Sequence, residues 1–376
     1  MKRKASEHVQ YAKTLLIVVE VPRARIKHFE AYVAEFLSLV KTNGVVYERL
    51  EHIKLRAIDP SYFLTTGKLE QVKKICDDEA IEHVIISEPL SPQQERNMSN
   101  FLDCVVFDRT SLILEIFEKA AQSSEGKIQV AIARLQYRRT RLAGKGIHLA
   151  QQGGMIGVRG GPGETLKERE TRLIDEEILK LRRQLVRLAN ARETQRKQRH
   201  RSNIPHLCLI GYTNTGKSTI LNALTNSNVL AEDKLFATLD TTTRELYVDG
   251  IKIGVISDTV GFIQNIPHTL IEAFKSTLSE LQYADLLLHV IDVSNPEWPR
   301  HIGVVHEVLQ ELNVAKDMLY VFNKMDAVGD EQVLENDCAI SLYTPHVMIS
   351  ARSKDGLKPL RDFLVVWYNN RRGSAQ

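Results

Sequence analysis

The sequence predicts an α/β protein in three parts: a small α/β domain, a long helical hairpin, and a larger domain built on a mainly parallel sheet. Three observations carry this. Short β-branched runs alternate with helix-like stretches over residues 14–108. From 111 to 200, leucine and isoleucine recur at helical spacing on either side of a glycine-rich insert. Beyond Ile204, compact apolar runs each lead into an amphipathic stretch, the alternation that builds parallel sheets. The predicted boundaries are 1–110, 111–202 and 203–372, with a short tail at 373–376.

In the first part, "TLLIVVEV" (14–21), "GVVYER" (44–49), "HVIIS" (83–87) and "CVVFD" (104–108) read as strands, because they are β-branched and flanked by polar or turn residues. Helical patterns cover 24–41 and 67–78. No catalytic cluster is recognisable here.

The second part has two helical runs. Ile128, Ile132, Leu135 and Leu142 mark the first; Leu173, Ile174, Ile178, Leu181, Leu185 and Leu188 mark the second. The second has the spacing of a coiled-coil seam, and a helix from Glu164 to His200 would be ~55 Å long at 1.5 Å per residue. The linking "GKGIHLAQQGGMIGVRGGPGE" (144–164) is too rich in glycine for regular structure. An antiparallel hairpin with a long tip is expected. A mere spacer has no need of a tip holding Lys145, His148 and Arg159, whereas backbone that must fold against something else does.

In the third part, "HLCLIG", "KIGVISD", "LLLHVID", "MLYVFN" and "HVMIS" read as strands of a buried parallel sheet. Helices are expected at about 217–226, 268–282, 298–311 and 356–372. Ligand residues should lie in the loops that follow the strands.

Charge is lopsided. The net charge is +3, yet Lys127–Arg201 holds 19 Lys/Arg against 7 Asp/Glu, an excess of 12 that leaves the rest at −9. Such a block suits a polyanion, nucleic acid foremost, although a solvated pair of charged helices would look similar. The apolar runs fall far short of the roughly 20 residues of a membrane span. The basic start "MKRKASEHVQ" lacks the apolar core of a secretory signal, and the four scattered cysteines show no metal spacing. A cytoplasmic protein, without membrane insertion, is expected.

The chemistry lies in four ordered motifs. Gly211-Tyr212-Thr213-Asn214-Thr215-Gly216-Lys217-Ser218 follows an apolar strand and opens a helix, the context of a phosphate-binding loop. Its amides and the helix dipole would cradle a β-phosphate, Lys217 would reach the β- and γ-phosphates, and Ser218 would coordinate Mg²⁺. "ISDTVGF" adds Asp258, placed to bind Mg²⁺ through water, then Thr259, Val260 and Gly261, whose amide can meet a γ-phosphate. "FNKMD" gives Asn323, Lys324, Met325 and Asp326. A carboxylate at 326 can accept from guanine N1–H and the 2-amino group, which adenine does not offer. Ser350-Ala351-Arg352 suits a backbone contact with the guanine oxygen. The ligand read from these motifs is GTP or GDP. A γ-phosphate sensor should lie in "FATLDTTTRE", and spacing does not choose among Thr238, Thr241, Thr242 and Thr243.

The sequence resembles the HflX family, in the Obg-HflX group of GTPases, along nearly its whole length. "GYTNTGKSTILNAL", "LFATLDTTTR", "DTVGFIQNIPH" and "AFKSTLSE" match the GTPase domain. "GKIQVAIARLQYRRTRLAGKGIHLAQQGG" and "RGGPGET" match the hairpin, and "FDRTSLILEIF" and "LSPQQERN" resemble the N-terminal domain.

The resemblance implies a P-loop GTPase in which Thr238 completes Mg²⁺ coordination, within a nucleotide-contacting stretch of Phe236, Ala237, Thr238, Leu239 and Asp240. It implies binding to the 50S subunit, a hairpin tip near the peptidyl transferase region, and a GTP state that splits stalled 70S ribosomes under stress; the protein itself is expected to be a monomer. Assembly or silencing of the 50S subunit is the alternative it leaves. Arg138, Arg139, Arg141, Lys145, His148 and Arg159 are the rRNA-contact candidates. Lys217, Thr238 and Gly261 are the residues expected to act on the γ-phosphate. Asn214 resembles the asparagine with which related GTPases hold K⁺. Phe262 stands where a Ras-like enzyme places its water-orienting glutamine, so slow hydrolysis and ribosomal stimulation are expected. Thr241 stands where members usually carry proline.

Overall fold

The computed structural model describes residues 13–21, 29–142, 166–201, 204–225, 235–236, 239, 242–264, 279–329, 338–353 and 355–373, with the side chains at 166–167, 189 and 191–201 outside that description. The chain packs into two compact units. One is Met1–Ile116 with Arg134–Lys180, the other Phe117–Ala133 with Leu181–Gln376.

The first unit holds a four-stranded, wholly parallel sheet in the order β2-β1-β3-β4. Its elements are β1 (Thr14–Glu20), α1 (Phe29–Asn43), β2 (Arg49–Lys54), α2 (Thr66–Glu79), β3 (His83–Ile86), α3 (Pro92–Leu102) and β4 (Val105–Phe107). Leu15, Ile17 and Val19 of β1 share a core with Leu69 and Val72 of α2 and Met98 of α3. A capping box starts α3: Ser91 accepts from the Gln94 amide, and the Gln94 side chain accepts from the Ser91 amide.

One expected strand is displaced. "GVVYER" (44–49) is not β2; the strand begins at Arg49. The cause is local. Gly44, at φ +75°, ends α1, and the Val45 amide donates back to the Val40 carbonyl at 3.2 Å, so these amides cap a helix instead of pairing with a strand. Val46 is consequently 71% exposed.

Three helices follow: α4 (Arg109–Ala120), α5 (Ser124–Leu142) and α6 (Leu166–Arg201). At 36 residues, α6 matches the long helix expected. Ile174 and Ile178 are buried and Leu181, Leu185 and Leu188 half-buried, a 4-3-4-3 seam; Leu173 falls off it and is exposed. The tip containing Lys145, His148 and Arg159 lies outside the described residues.

The second unit contains a six-stranded sheet, β10-β9-β8-β5-β7-β6, parallel except for β6. Its strands are β5 (His206–Gly211), β6 (Thr242–Val248), β7 (Ile251–Asp258), β8 (Leu286–Asp292), β9 (Met318–Asn323) and β10 (His346–Met348). Its helices are α7 (Lys217–Thr225), α8 (Trp298–Glu311) and α9 (Lys358–Gly373). Leu207 and Leu209 join Ile220 and Leu221 of α7 and Leu360 and Leu364 of α9 in one core. Ile291 and Phe322 join Trp298 and Ile302 of α8 in another. The antiparallel β6 has no counterpart among the expected strands: "TTRELYV" carries exposed polar residues, and β7 holds it through a two-residue turn at Asp249-Gly250. The helix expected at 268–282 lies mostly outside the described residues; Ser279–Tyr283 form a 3-10 turn. No helix among the described residues is long and apolar enough to cross a membrane.

Candidate nucleotide site

The carboxyl ends of β5, β7, β8 and β9 bring the motif residues to one edge of the second sheet, where a parallel sheet opens its ligand crevice. The loop from Gly211 to Ser218 joins β5 to α7. Its glycines have steric reasons. A Cβ on Gly211, at φ +148°, would stand 2.2 Å from the Val290 carbonyl oxygen, and one on Gly216, at φ +94°, would stand 2.4 Å from Asn323 Nδ2. Asn214 is left-handed, at φ +59°.

Lys217 is buried, and its Nζ donates to the carbonyls of Tyr212 (2.7 Å) and Gly211 (3.2 Å). Burial pulls its pKa down to about 8, against the opposing pull of Asp258. Ser218 Oγ donates to Asp258 Oδ2 at 2.6 Å, and Asp258 is fully buried at the end of β7. A hydroxyl and a buried carboxylate so close are hard oxygen donors of the kind Mg²⁺ takes.

The DxxG segment lies on the phosphate loop. The Thr213 amide donates to the Phe262 carbonyl (2.8 Å), the Phe262 amide to the Gly211 carbonyl (3.1 Å), and the Gln264 amide to the Tyr212 hydroxyl (2.8 Å). Gly261 is indispensable to this approach, since a Cβ there would come within 2.9 Å of the Thr213 backbone. Thr259 Oγ1 donates to the Leu209 carbonyl, and Val260 is buried. The Phe262 side chain is only 2% exposed, so it packs inward. The Tyr212 ring stacks on His301 of α8 at 3.8 Å, nearly parallel at 8°.

On the other side, Asn323 Nδ2 donates to the Thr215 carbonyl (2.8 Å) and its Oδ1 accepts from the Ala351 amide (3.0 Å). Ser350 Oγ donates to Asp326 Oδ1 (2.6 Å) and Arg352 to Oδ2 (3.2 Å). The Ser350 bond, foremost, holds the Asp326 carboxyl below its usual range. A carboxylate kept ionised and oriented is what two guanine donors require.

Thus Gly211–Ser218, Asp258–Gly261, Asn323–Asp326 and Ser350–Arg352 converge. Leu239 and Phe236 are buried, whereas Ala237, Thr238, Asp240 and Thr241 lie outside the described residues. Among the rRNA candidates, Arg138 and Arg139 are 64% and 52% exposed, paired with Glu170 and Asp175 on α6. Arg141 departs from expectation. Its guanidinium bonds Glu95 (2.5 Å) and Asp108 (3.0 Å) and lies 3.3 Å over the Tyr137 ring, leaving the side chain 15% exposed. It is a packing residue of the first unit, not an open cation. Sequence reading missed Asp292, which pairs with Lys324, and Tyr212's two contacts; no local motif marks either.

Known proteins match in the same order. Family models described as "GTP-binding GTPase N-terminal", "GTP-binding GTPase Middle Region" and "50S ribosome-binding GTPase" fit residues 30–118, 120–199 and 206–324. GTPase HflX of Lacrimispora saccharolytica is 42% identical over 95% of this chain and 84% of its own. GTPase HflX of Escherichia coli K12 is 41% identical over 79% of this chain and 70% of its own. A crystal structure of SsGBP in complex with GDP is similar at 27% identity and a TM-score of 0.50, covering 95% and 99% of the two chains. With identity of 41–42% to relatives that cover most of its length, the chain belongs to the HflX family of GTPases.

Proposed function

We propose that this GTPase binds the 50S ribosomal subunit through its basic hairpin, and that its GTP state drives stalled 70S ribosomes apart under stress. Hydrolysis then resets it. The observation that carries the reading is the excess of 12 positive charges over Lys127–Arg201 in a chain negative elsewhere. The exposed pairs of Arg138 and Arg139 support it, because surface ion pairs are worth ~0–1 kcal/mol and phosphates can replace them. The description of the matching G-domain model as a 50S ribosome-binding GTPase supports the partner.

In this reading Asp326 accepts from the guanine edge, the Ser350–Arg352 backbone meets the guanine oxygen, and the loop amides hold the β-phosphate. Lys217 turns from the carbonyls of Gly211 and Tyr212 to the β- and γ-phosphates. Ser218 directly, and Asp258 through water, would hold Mg²⁺, which neutralises phosphate charge when bound. Thr238 and the Gly261 amide sense the γ-phosphate. For Gly261 to do so, the bonds joining Phe262 to Gly211 and Thr213 must rearrange, a switch that biases the hairpin on its partner. The buried phenyl ring of Phe262 cannot orient water, so hydrolysis alone is slow and the ribosome supplies or orders the missing group. Asn214 is assigned to K⁺ on residue type; equal rates in K⁺ and Na⁺ would remove that assignment. We assign the protein to the cytoplasm as a monomer.

The test mixes purified protein with 70S ribosomes under GDP, GTP or a non-hydrolysable analogue and separates the particles on a gradient. Analogue-dependent release of subunits supports splitting. Stable 50S binding without loss of 70S would mean assembly or silencing, and no binding would sink the ribosomal reading.

A further inference from the structure

Each residue of Asn323-Lys324-Met325-Asp326 is tied by a different neighbour, and one tie is made by a side chain outside all four motifs. Asn323 is held by Thr215 and Ala351, the Met325 amide by the Ile349 carbonyl, and Asp326 by Ser350 and Arg352. Lys324 is held by Asp292: its Nζ is 2.6 Å from Asp292 Oδ2.

This pair is built rather than incidental. Asp292 is the last residue of β8, in register with Asn323 of β9. Its other oxygen accepts from the Ser294 amide (3.1 Å) and hydroxyl (2.5 Å), so both oxygens are engaged and the carboxylate cannot swing away. The side chain is 15% exposed. Lys324 sits at φ +68°, a backbone state that side-chain-bearing residues rarely adopt and that surrounding contacts must enforce. A lysine stem has four methylenes, and pinning the ammonium at its far end removes many of the rotamers open to them.

We propose that Asp292 is a positioning residue for the guanine nucleotide. By anchoring the Lys324 ammonium, it stretches the lysine stem into a fixed apolar wall beside Asp326, against which the purine face packs. This rests on reading Asn323–Asp326 as the base site. Because the anchor acts on the base side, GDP and GTP should feel it equally.

The full chain is tested by calorimetric titration with GDP and a non-hydrolysable GTP analogue, and by steady-state GTP hydrolysis. D292N should weaken both ligands about tenfold, the scale of one charge-assisted contact, with their ratio kept and the loss in KM rather than kcat. D292E should recover most of the affinity. The double variant D292N/K324Q should bind no more weakly than K324Q. A D292N protein that binds GDP like wild type, even with a lowered Tm, overturns the inference; so does a double variant in which the two losses add. D326N serves as the independent control, since an amide in place of the carboxylate should favour the 2-oxo group of xanthosine diphosphate over GDP. If D326N makes that exchange and D292N is silent, only the role of Asp292 falls. If D326N does not, the base-site reading itself falls.

Discussion

Asn323 donates a hydrogen bond to the carbonyl of Thr215, 108 residues earlier in the chain and 2.8 Å away. With its other amide atom on the Ala351 amide, this one buried side chain joins the phosphate loop to both base-side loops. Two hydrogen bonds thus tie the three loops together.

Replacing Asn323 therefore has two readouts. N323A leaves buried partners at Thr215 and Ala351 unsatisfied, and stability should fall by about 2 kcal/mol. GDP affinity should fall with it, because the phosphate loop loses its register to the base side. Chemical denaturation and GDP titration check both, and a change in stability alone would mean that the loops are positioned independently.

Lys217 makes nucleotide binding depend on pH. Burial lowers its pKa to about 8 without ligand, and phosphates beside the ammonium would raise it. Binding is then unpenalised below pH 8 and takes up a proton above it. GDP affinity should fall by up to about tenfold per pH unit above pH 8, until the bound-state pKa is passed. Titration in buffers of different ionisation enthalpy would reveal the proton uptake.

Acid should destabilise the second unit. Burial, with His306 and Lys217 nearby, pushes His289 down to about 3, and burial, partly opposed by Asp292, pushes His301 down to about 4. Both stay neutral when folded, while in the unfolded chain they take up protons near pH 6.5. Stability is thus held above pH 6.5 and lost as pH falls, by about 1.4 kcal/mol per unit for each histidine until its folded pKa is reached. H289F removes one of these contributions and should flatten the slope of unfolding free energy against pH by about that much.

The arginines of α5 should divide by burial. R141A takes the guanidinium from the Asp108 carboxylate, 1% exposed and then held only by the Leu90 and Ser111 amides and the Tyr137 hydroxyl, and should destabilise the first unit by about 3 kcal/mol. R138A and R139A should change stability by less than about 0.5 kcal/mol. If they face rRNA, each should reduce the salt slope of 50S binding by about 1. Equal salt slopes for wild type and both variants would remove them from the interface.

The sequence by itself determined the nucleotide motifs, most strands and the long helix α6. These follow from local rules: a phosphate loop needs glycines at set spacings, buried parallel strands are continuously apolar, and a helix seam repeats every three or four residues. Local rules also misplaced β2, because "GVVYER" is apolar enough for a strand although its first amides cap α1. Tertiary structure alone decided that Arg141 is neutralised while Arg138 and Arg139 stay exposed, since a charge does not announce its partner. It alone showed Asp292 holding Lys324 and Asn323 bridging to Thr215. Those ties join residues distant in the chain, and their strength comes from burial and geometry that no window of sequence contains.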